Sequence, residues 1–284
     1  MATHLNIQMG MISSTIFSRK EHSMPGTSTS TNPSGIKITF EEKTHKYWSI
    51  IDNKELRYVS GTTFVHKFIP EFDEQRVSAM VAKKRGVSQK EILDEWHQKR
   101  DESCYFGTKV HETAEDVLTG RPFRNTPTNA KEEIVFNRAK AFATKFKNEL
   151  DILGVEQIVF DHRLKLAGTI DLLARSKKDG SILVLDWKTN QSIQTENNFE
   201  KCLLPINHLD SCNFYHYSLQ LSLYQFLLTF GGYYPKDTKF KRALIHITSD
   251  IAEVIQIPDL TSEIKDMVIY DLINKNVNNF KLNC

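Results

Sequence analysis

Apolar and polar positions along this chain sort into strand-like and helix-like stretches, and the densest apolar run lies between residues 166 and 189. Leu166-Ala-Gly-Thr-Ile-Asp-Leu-Leu-Ala-Arg175 and Ser181-Ile-Leu-Val-Leu-Asp-Trp-Lys-Thr189 are both rich in β-formers. The turn Ser176-Lys-Lys-Asp-Gly180 between them completes a predicted hairpin. Residues 182–185 are apolar without a break, the pattern of a buried strand. Upstream, residues 36–40, 46–51 and 56–59 predict a small β-meander or hairpin that turns at Asp52-Asn53. Ser60-Gly-Thr-Thr63 caps a helix reaching Phe68, and residues 73–85, 88–100 and 101–118 predict three further helices. Val135, Ala139, Phe142, Phe146 and Leu150 fall at steps of three and four, giving residues 130–150 the apolar stripe of a packed helix. Residues 155–160 predict a strand leading into the hairpin, and residues 189–211 a long polar loop. A helix over 213–230, strands over 242–248 and 253–257 and a closing helix over 260–273 complete the pattern. The expected fold class is α/β: a central mixed β-sheet flanked by helices, with an N-terminal helical/β extension.

Three segments follow: a tail over 1–35, an extension over 36–100 and a core over 101–284. The tail holds only Arg19, Lys20 and Glu21 as formal charges and ends in a Ser/Thr-rich run, so it is expected to be disordered. It is poor in acids like an organelle transit peptide but lacks the repeated arginines, which leaves targeting open. No run of about 18 apolar residues suggests a membrane span. Cys104, Cys202, Cys212 and Cys284 form no Cys-x-x-Cys pair, which points to free thiols in a reducing, intracellular compartment. Cytoplasm, nucleus and mitochondrion all fit. The net charge of +2 neither requires nor excludes a nucleic-acid partner.

Chemistry concentrates in the hairpin. Side chains two apart on a strand share a face, so Asp186 and Lys188 project together, and Asp171 comes from the neighbouring strand. Carboxylates and an ammonium in an apolar setting are costly unless paired or bound to metal, and carboxylate oxygens suit a hard divalent ion such as Mg²⁺ or Mn²⁺. On the preceding helix His111 and Glu115 are four apart, hence on one face, as are Gln220 and Tyr224 further on. Lys83, Lys84, Arg85, Lys90, Lys99, Arg100 and Lys109 offer a basic surface ahead of this cluster.

Gly168-Thr-Ile-Asp171 with Asp186-Trp-Lys188 resembles the core of the PD-(D/E)XK nucleases. Gly107-Thr-Lys-Val-His111 before it and Gln220-Leu-Ser-Leu-Tyr224 after it resemble motifs of the RecB-like branch, in particular the mitochondrial genome maintenance exonucleases and their viral and phage relatives. The resemblance covers residues 105–250. It implies a metal-dependent deoxyribonuclease with a restriction-endonuclease-like core, cutting single-stranded or free-ended DNA to 5′-phosphate products. Replication and recombination proteins would be its associates. It also implies His111, Asp171, Asp186, the Trp187 backbone carbonyl and Glu156 around one or two metal ions, with Glu115 supporting them. Lys188 would act on the attacking water, and Gln220 and Tyr224 would orient Lys188 or touch phosphate. Lys83, Lys84, Arg85, Lys99, Arg100 and Lys109 would hold the DNA backbone, and the loop over 189–211 would gate or line its path. Some relatives carry an iron–sulfur cluster on one cysteine before the core and three after it, but the wide spacing here argues against one. A superfamily endonuclease and a non-catalytic DNA-binding module retaining the fold are the rival readings.

Overall fold

The computed structural model describes residues 26–282, with side chains through residue 275. The first 25 residues of the expected tail lie outside that range. Its end does not: Thr27–Thr31 forms strand β1, in antiparallel register with β2, Lys37–Glu41. Low hydrophobicity suggested disorder, but alternating Ser and β-branched Thr fit a strand, and Ser28, Thr29 and Ser30 are buried. β3 (Lys46–Ile51) and β4 (Lys54–Ser60) complete the meander. Ser60 then caps α1, Gly61–His66, by accepting from the Thr63 N–H.

α2 (Glu74–Arg85) begins at Asp73 and ends on Gly86 in the left-handed conformation. The helices expected over 88–100 and 101–118 are one, α3, Gln89–Thr119, opened by a capping box of Ser88 and Glu91. Asp101 resembles a cap in sequence, yet no proline intervenes and the helix runs through it. The boundary expected at 100/101 therefore falls inside a continuous helix. Residues 98–105 are exposed on every side, between the turns that meet α2 and those that meet the sheet. α4 (Ala130–Glu149) leads directly into β5 (Leu150–Asp161), which pairs antiparallel with β6, Leu166–Ser176. β7 (Ile182–Lys188), α5 (Asn213–Phe230), β8 (Phe240–Ile247), β9 (Ala252–Gln256) and α6 (Thr261–Leu282) follow.

The strands form one mixed sheet in the order β1-β2-β3-β4-β6-β7-β8-β9, with β5 on the remaining side of β6. Both faces are covered. Phe64 of α1, Leu219, Leu223 and Leu227 of α5 and Ile264 and Met267 of α6 pack against Val184 and Leu244. Val110 and Ala114 of α3 and Val135, Ala139 and Phe146 of α4 cover Leu185, Trp187 and Ile245 on the other face. Strand alternation sends neighbouring residues to opposite layers, which explains the unbroken apolar run in β7. Ile38, Phe40, Tyr47 and Tyr58 of the meander form a third cluster with Ile158 and Phe160.

One departure from regular pairing creates the site. β5 occupies one edge of β6 along its whole length, so β4 and β7 share the other. β4 meets it in parallel at Leu166 and Ala167, and β7 antiparallel from Leu172 to Arg175. Among the described residues no strand pairs with 168–171 on that side. β7 parts from β6 after Leu185, and the Trp187 N–H donates to Asp171 Oδ2 at 2.9 Å instead of to a backbone carbonyl.

Candidate active site

The split between β6 and β7 lets side chains from both faces of the sheet meet. From the α3 side His111 reaches in, its Nε2 3.0 Å from the Trp187 carbonyl and its Nδ1 3.3 Å from Asp171 Oδ2. Glu156 arrives across the β5–β6 ladder. Val155 pairs with Leu172 and Gln157 with Ile170, which leaves Glu156 facing Asp171. A spacing of fifteen residues is thus what an antiparallel register needs to set two carboxylates opposite each other. Ligand atoms of His111, Glu156 and Asp171 lie within 4.8 Å of one another.

Glu156 holds this place at φ +50°, the left-handed region that a non-glycine residue occupies at a cost of about 1 kcal/mol or more. Strain kept beside Asp171 and His111 marks a functional constraint. Glu156→Asn, which tolerates this backbone and removes a charge, is expected to raise the melting temperature in EDTA by about 2–4 °C. It should also cut metal-dependent activity at least about tenfold. Melting curves and cleavage rates on the same preparation check both.

Asp186 lies outside that group of three. Its buried Oδ2 contacts the Lys188 ammonium but has no well-directed hydrogen bond. Burial first, and then the Asp186 charge, push the Asp171 carboxyl up to about 6, although His111, Lys188 and the Trp187 N–H pull it down. Burial would lower Lys188, but Asp186 and Asp171 outweigh it and hold the ammonium above the ordinary lysine value. Lys188 is thus favoured in its charged form, which suits positioning and neutralisation.

The donor set fits a hard divalent cation. Carboxylate oxygens and one imidazole converge, burial and then the Asp186 charge raise the Asp171 carboxyl, and the buried Asp186 Oδ2 has only the Lys188 ammonium against it. The sign of the pH dependence follows. Asp171 titrates higher in the folded chain than in the unfolded one, so its contribution to metal-free stability is full below about 4 and is lost as pH rises through about 6. Mg²⁺ should then raise the melting temperature by about 5 °C or more at pH 8 and by much less at pH 5, where protons compete. Thermal melts at both pH values, with Mg²⁺ or EDTA, measure this.

Gln220 and Tyr224 come together but not on Lys188: Gln220 Nε2 donates to the Tyr224 hydroxyl at 2.9 Å. The Tyr224 ring lies on the glycine of Gly-Thr-Ile-Asp, where a Cβ at Gly168 would sit 2.3 Å from its Cε1. Gly61 approaches the same ring, with a Cβ position 2.8 Å away. Lys188 instead meets Tyr217, whose ring centroid is 4.6 Å from Nζ. Sequence reasoning left Tyr217 as an ordinary helix residue, although it stands one turn before Gln220. It also left Tyr47 to the meander. The Tyr47 hydroxyl bonds Thr169 Oγ1 at 2.8 Å, and burial raises its pKa, with Glu156 and Asp171 adding to the effect.

Other expected roles find different partners. Glu115 is held by Arg121 and Arg124 rather than turned to His111. Arg85 and Lys99 both pair with Glu95, Arg100 with Asp101 and Lys109 with Glu112, so local acids take up four of the six proposed backbone-binding cations. Such neutralisation one to ten residues away is invisible to a count of basic residues. No ion pair involves Lys83 or Lys84 among the described residues. The loop after Lys188 is not a loose flap in its first half, because Asn213 bonds both Gln194 N and Ser192 O. Further on, Cys202, Ile206 and Leu209 are buried. Cys104 is exposed, Cys212 is buried before α5, and Cys284 lies outside the described residues.

A carboxylate and imidazole cluster that could hold a cation, with a charged lysine beside it in the cleft of a split mixed sheet, suits metal-assisted hydrolysis of an anionic ester. The sequence matches the family model described as PD-(D/E)XK nuclease superfamily over residues 51–272, more than half of its length, and the chain belongs to that superfamily. It is accordingly a metal-dependent nuclease with DNA as the implied substrate. A search of curated proteins finds no match. No helix among the described residues is long and apolar enough to cross a membrane.

Proposed function

We propose that this chain is a Mg²⁺- or Mn²⁺-dependent exonuclease of the RecB-like branch. It would hydrolyse phosphodiester bonds in single-stranded DNA or at DNA ends, leaving 5′ phosphates, in DNA replication, repair or recombination. The observation that carries the branch is the Tyr224 ring seated on Gly168 and bonded to Gln220, which ties the Gln-x-x-x-Tyr helix to the Gly-x-x-Asp strand.

His111, Glu156 and Asp171, with Asp186 and the Trp187 carbonyl at hand, would hold the ion. A bound divalent cation supplies charge neutralisation on phosphate and activation of water. Lys188, kept positive by Asp186 and Asp171, orients the attacking water and meets negative charge growing on the phosphoryl oxygens. His111 hydrogen-bonds the Trp187 carbonyl and so holds the end of β7 in line with the acids. Asp171 does the same from β6 through the Trp187 N–H. Lys83 and Lys84 make no ion pair among the described residues, and so are the proposed cations left open to backbone phosphates.

End-labelled single- and double-stranded DNA, linear and circular, incubated with Mg²⁺ or EDTA, tests the reading. Mononucleotide or short products from linear DNA, none from circles and none in EDTA are expected. Cleaved circles would make the protein an endonuclease, and binding without cleavage a DNA-binding module.

A further inference from the structure

The proposed mechanism asks Lys188 to hold one position, yet a lysine stem has four rotatable carbons and about 2 kcal/mol of rotamer entropy to lose. Asp186 alone restrains it from one side. On the other side lies a second device that the reaction scheme does not use. The Tyr217 ring faces Nζ at 4.6 Å, and its hydroxyl donates to Asn190 Oδ1 at 2.8 Å. The Asn190 carbonyl in turn accepts from His246 Nε2 at 2.7 Å. His246 is buried on β8 and stands beside Lys188 in the parallel β7–β8 register. The chain leaving β7 is thus turned back and tied to the strand next to it, and the tie ends on the aromatic ring that meets the lysine.

We propose that Tyr217 is a positioning residue for Lys188, an aromatic platform that His246 and Asn190 hold in place. The inference rests on the nuclease reading above. A ring face attracts the ammonium through its quadrupole without accepting a proton. All three N–H bonds of Lys188 then stay available for Asp186 and for oxygens of water or phosphate. A carboxylate in the ring's place would hold the lysine more tightly but would divert a donor and add charge to an already acidic site. The platform acts on the transition state through geometry, so it governs kcat and leaves DNA affinity almost untouched.

The test measures kcat, KM and DNA Kd for wild type, Tyr217→Leu, Tyr217→Phe, Asn190→Ala and the Tyr217→Phe/Asn190→Ala pair. Tyr217→Leu should lower kcat about 30-fold or more, with KM and Kd within about threefold. Tyr217→Phe keeps the ring and recovers most of that loss. It and Asn190→Ala should each cost about 3–5-fold, and the pair no more than either alone, because both break one bond. Asn190 is exposed, so its substitution does not threaten the fold. The proposal is overturned if Tyr217→Leu stays within threefold of wild type, if Phe is as damaging as Leu, or if the losses fall on KM and Kd. Proton NMR of Lys188 separates this proposal from the nuclease reading. Upfield ring-current shifts of its ε-methylene protons that persist in Tyr217→Phe and vanish in Tyr217→Leu support the platform even in a protein that cleaves nothing, and shifts unchanged in Tyr217→Leu count against it even in one that does.

Discussion

Lys188→Ala should abolish Mg²⁺-dependent DNA cleavage, with a loss of at least about 10²–10³-fold in kcat, the range for removing one preorganised electrostatic group. The effect is large because no other lysine or arginine among the described residues pairs with Asp171 or Asp186. The Lys188 side chain is largely covered and paired with Asp186, so its removal also strands a buried carboxylate, a change that costs up to about 3–5 kcal/mol when the charge has no other partner. Two measurements keep these effects apart. In EDTA the variant should melt well below wild type, and Mg²⁺ should recover much of the difference by occupying the acids, while cleavage stays absent. Asp186→Asn should lose activity to a similar degree with a smaller change in stability, since it leaves no unpaired acid. DNA affinity in both should stay within a few-fold of wild type. Hydrolysis at near wild-type rate by either purified variant would refute the role given to this pair.

Gly168→Ala is expected to give the largest effect among changes of a single methyl group. The added Cβ would come within 2.3 Å of Tyr224 Cε1 and 3.0 Å of Cζ. The ring cannot withdraw, because Gly61 closes on the same carbon and Gln220 holds the hydroxyl. Overpacking of this kind costs about 1–3 kcal/mol, or about 3–10 °C in melting temperature for a chain of this size. Because β6 carries Asp171 three residues on, activity should fall as well. A double-mutant cycle assigns the cause: in a Tyr224→Leu background, where the ring is gone, the same Gly168→Ala change should cost much less. Equal costs in both backgrounds would place the strain elsewhere.

Both predictions turn on residues whose presence is plain in the sequence and whose neighbours are not. Asp171, Asp186 and Lys188 stand out by type and spacing, and Gln220 and Tyr224 through the family resemblance. Period-two and period-3.6 patterns also located the meander, the hairpin and most helices, because each of those signals is local. The errors have equally local causes. The run over 27–31 looked too polar to order, yet its energetic support is a partner strand and a buried face supplied from elsewhere. Asp101 looked like a helix start, but a cap signal is only a preference, and the backbone on both sides was already helical. Glu115 sits on the same helix face as His111, but two arginines from the following loop claim it. Tyr47 carried no signal and Tyr217 only its place one turn before Gln220, since an aromatic on a packed element looks the same whether it fills a core or borders a reactive lysine.

By itself the sequence determined which segments become strands and helices, where the acids, the imidazole and the lysine lie along the chain, and that a hard cation suits them. Those properties depend on side-chain periodicity and donor chemistry, which a linear order of residues contains. Only the tertiary structure decided that β7 leaves β6 after Leu185, that Glu156 lies opposite Asp171 in a left-handed backbone, and that Tyr217 rather than Gln220 meets Lys188. The physical reason is that each of these is set by contact between segments far apart in sequence. Register, strand divergence and the direction of a side chain across a cleft are properties of the packed sheet, and no single segment carries the energy that selects them.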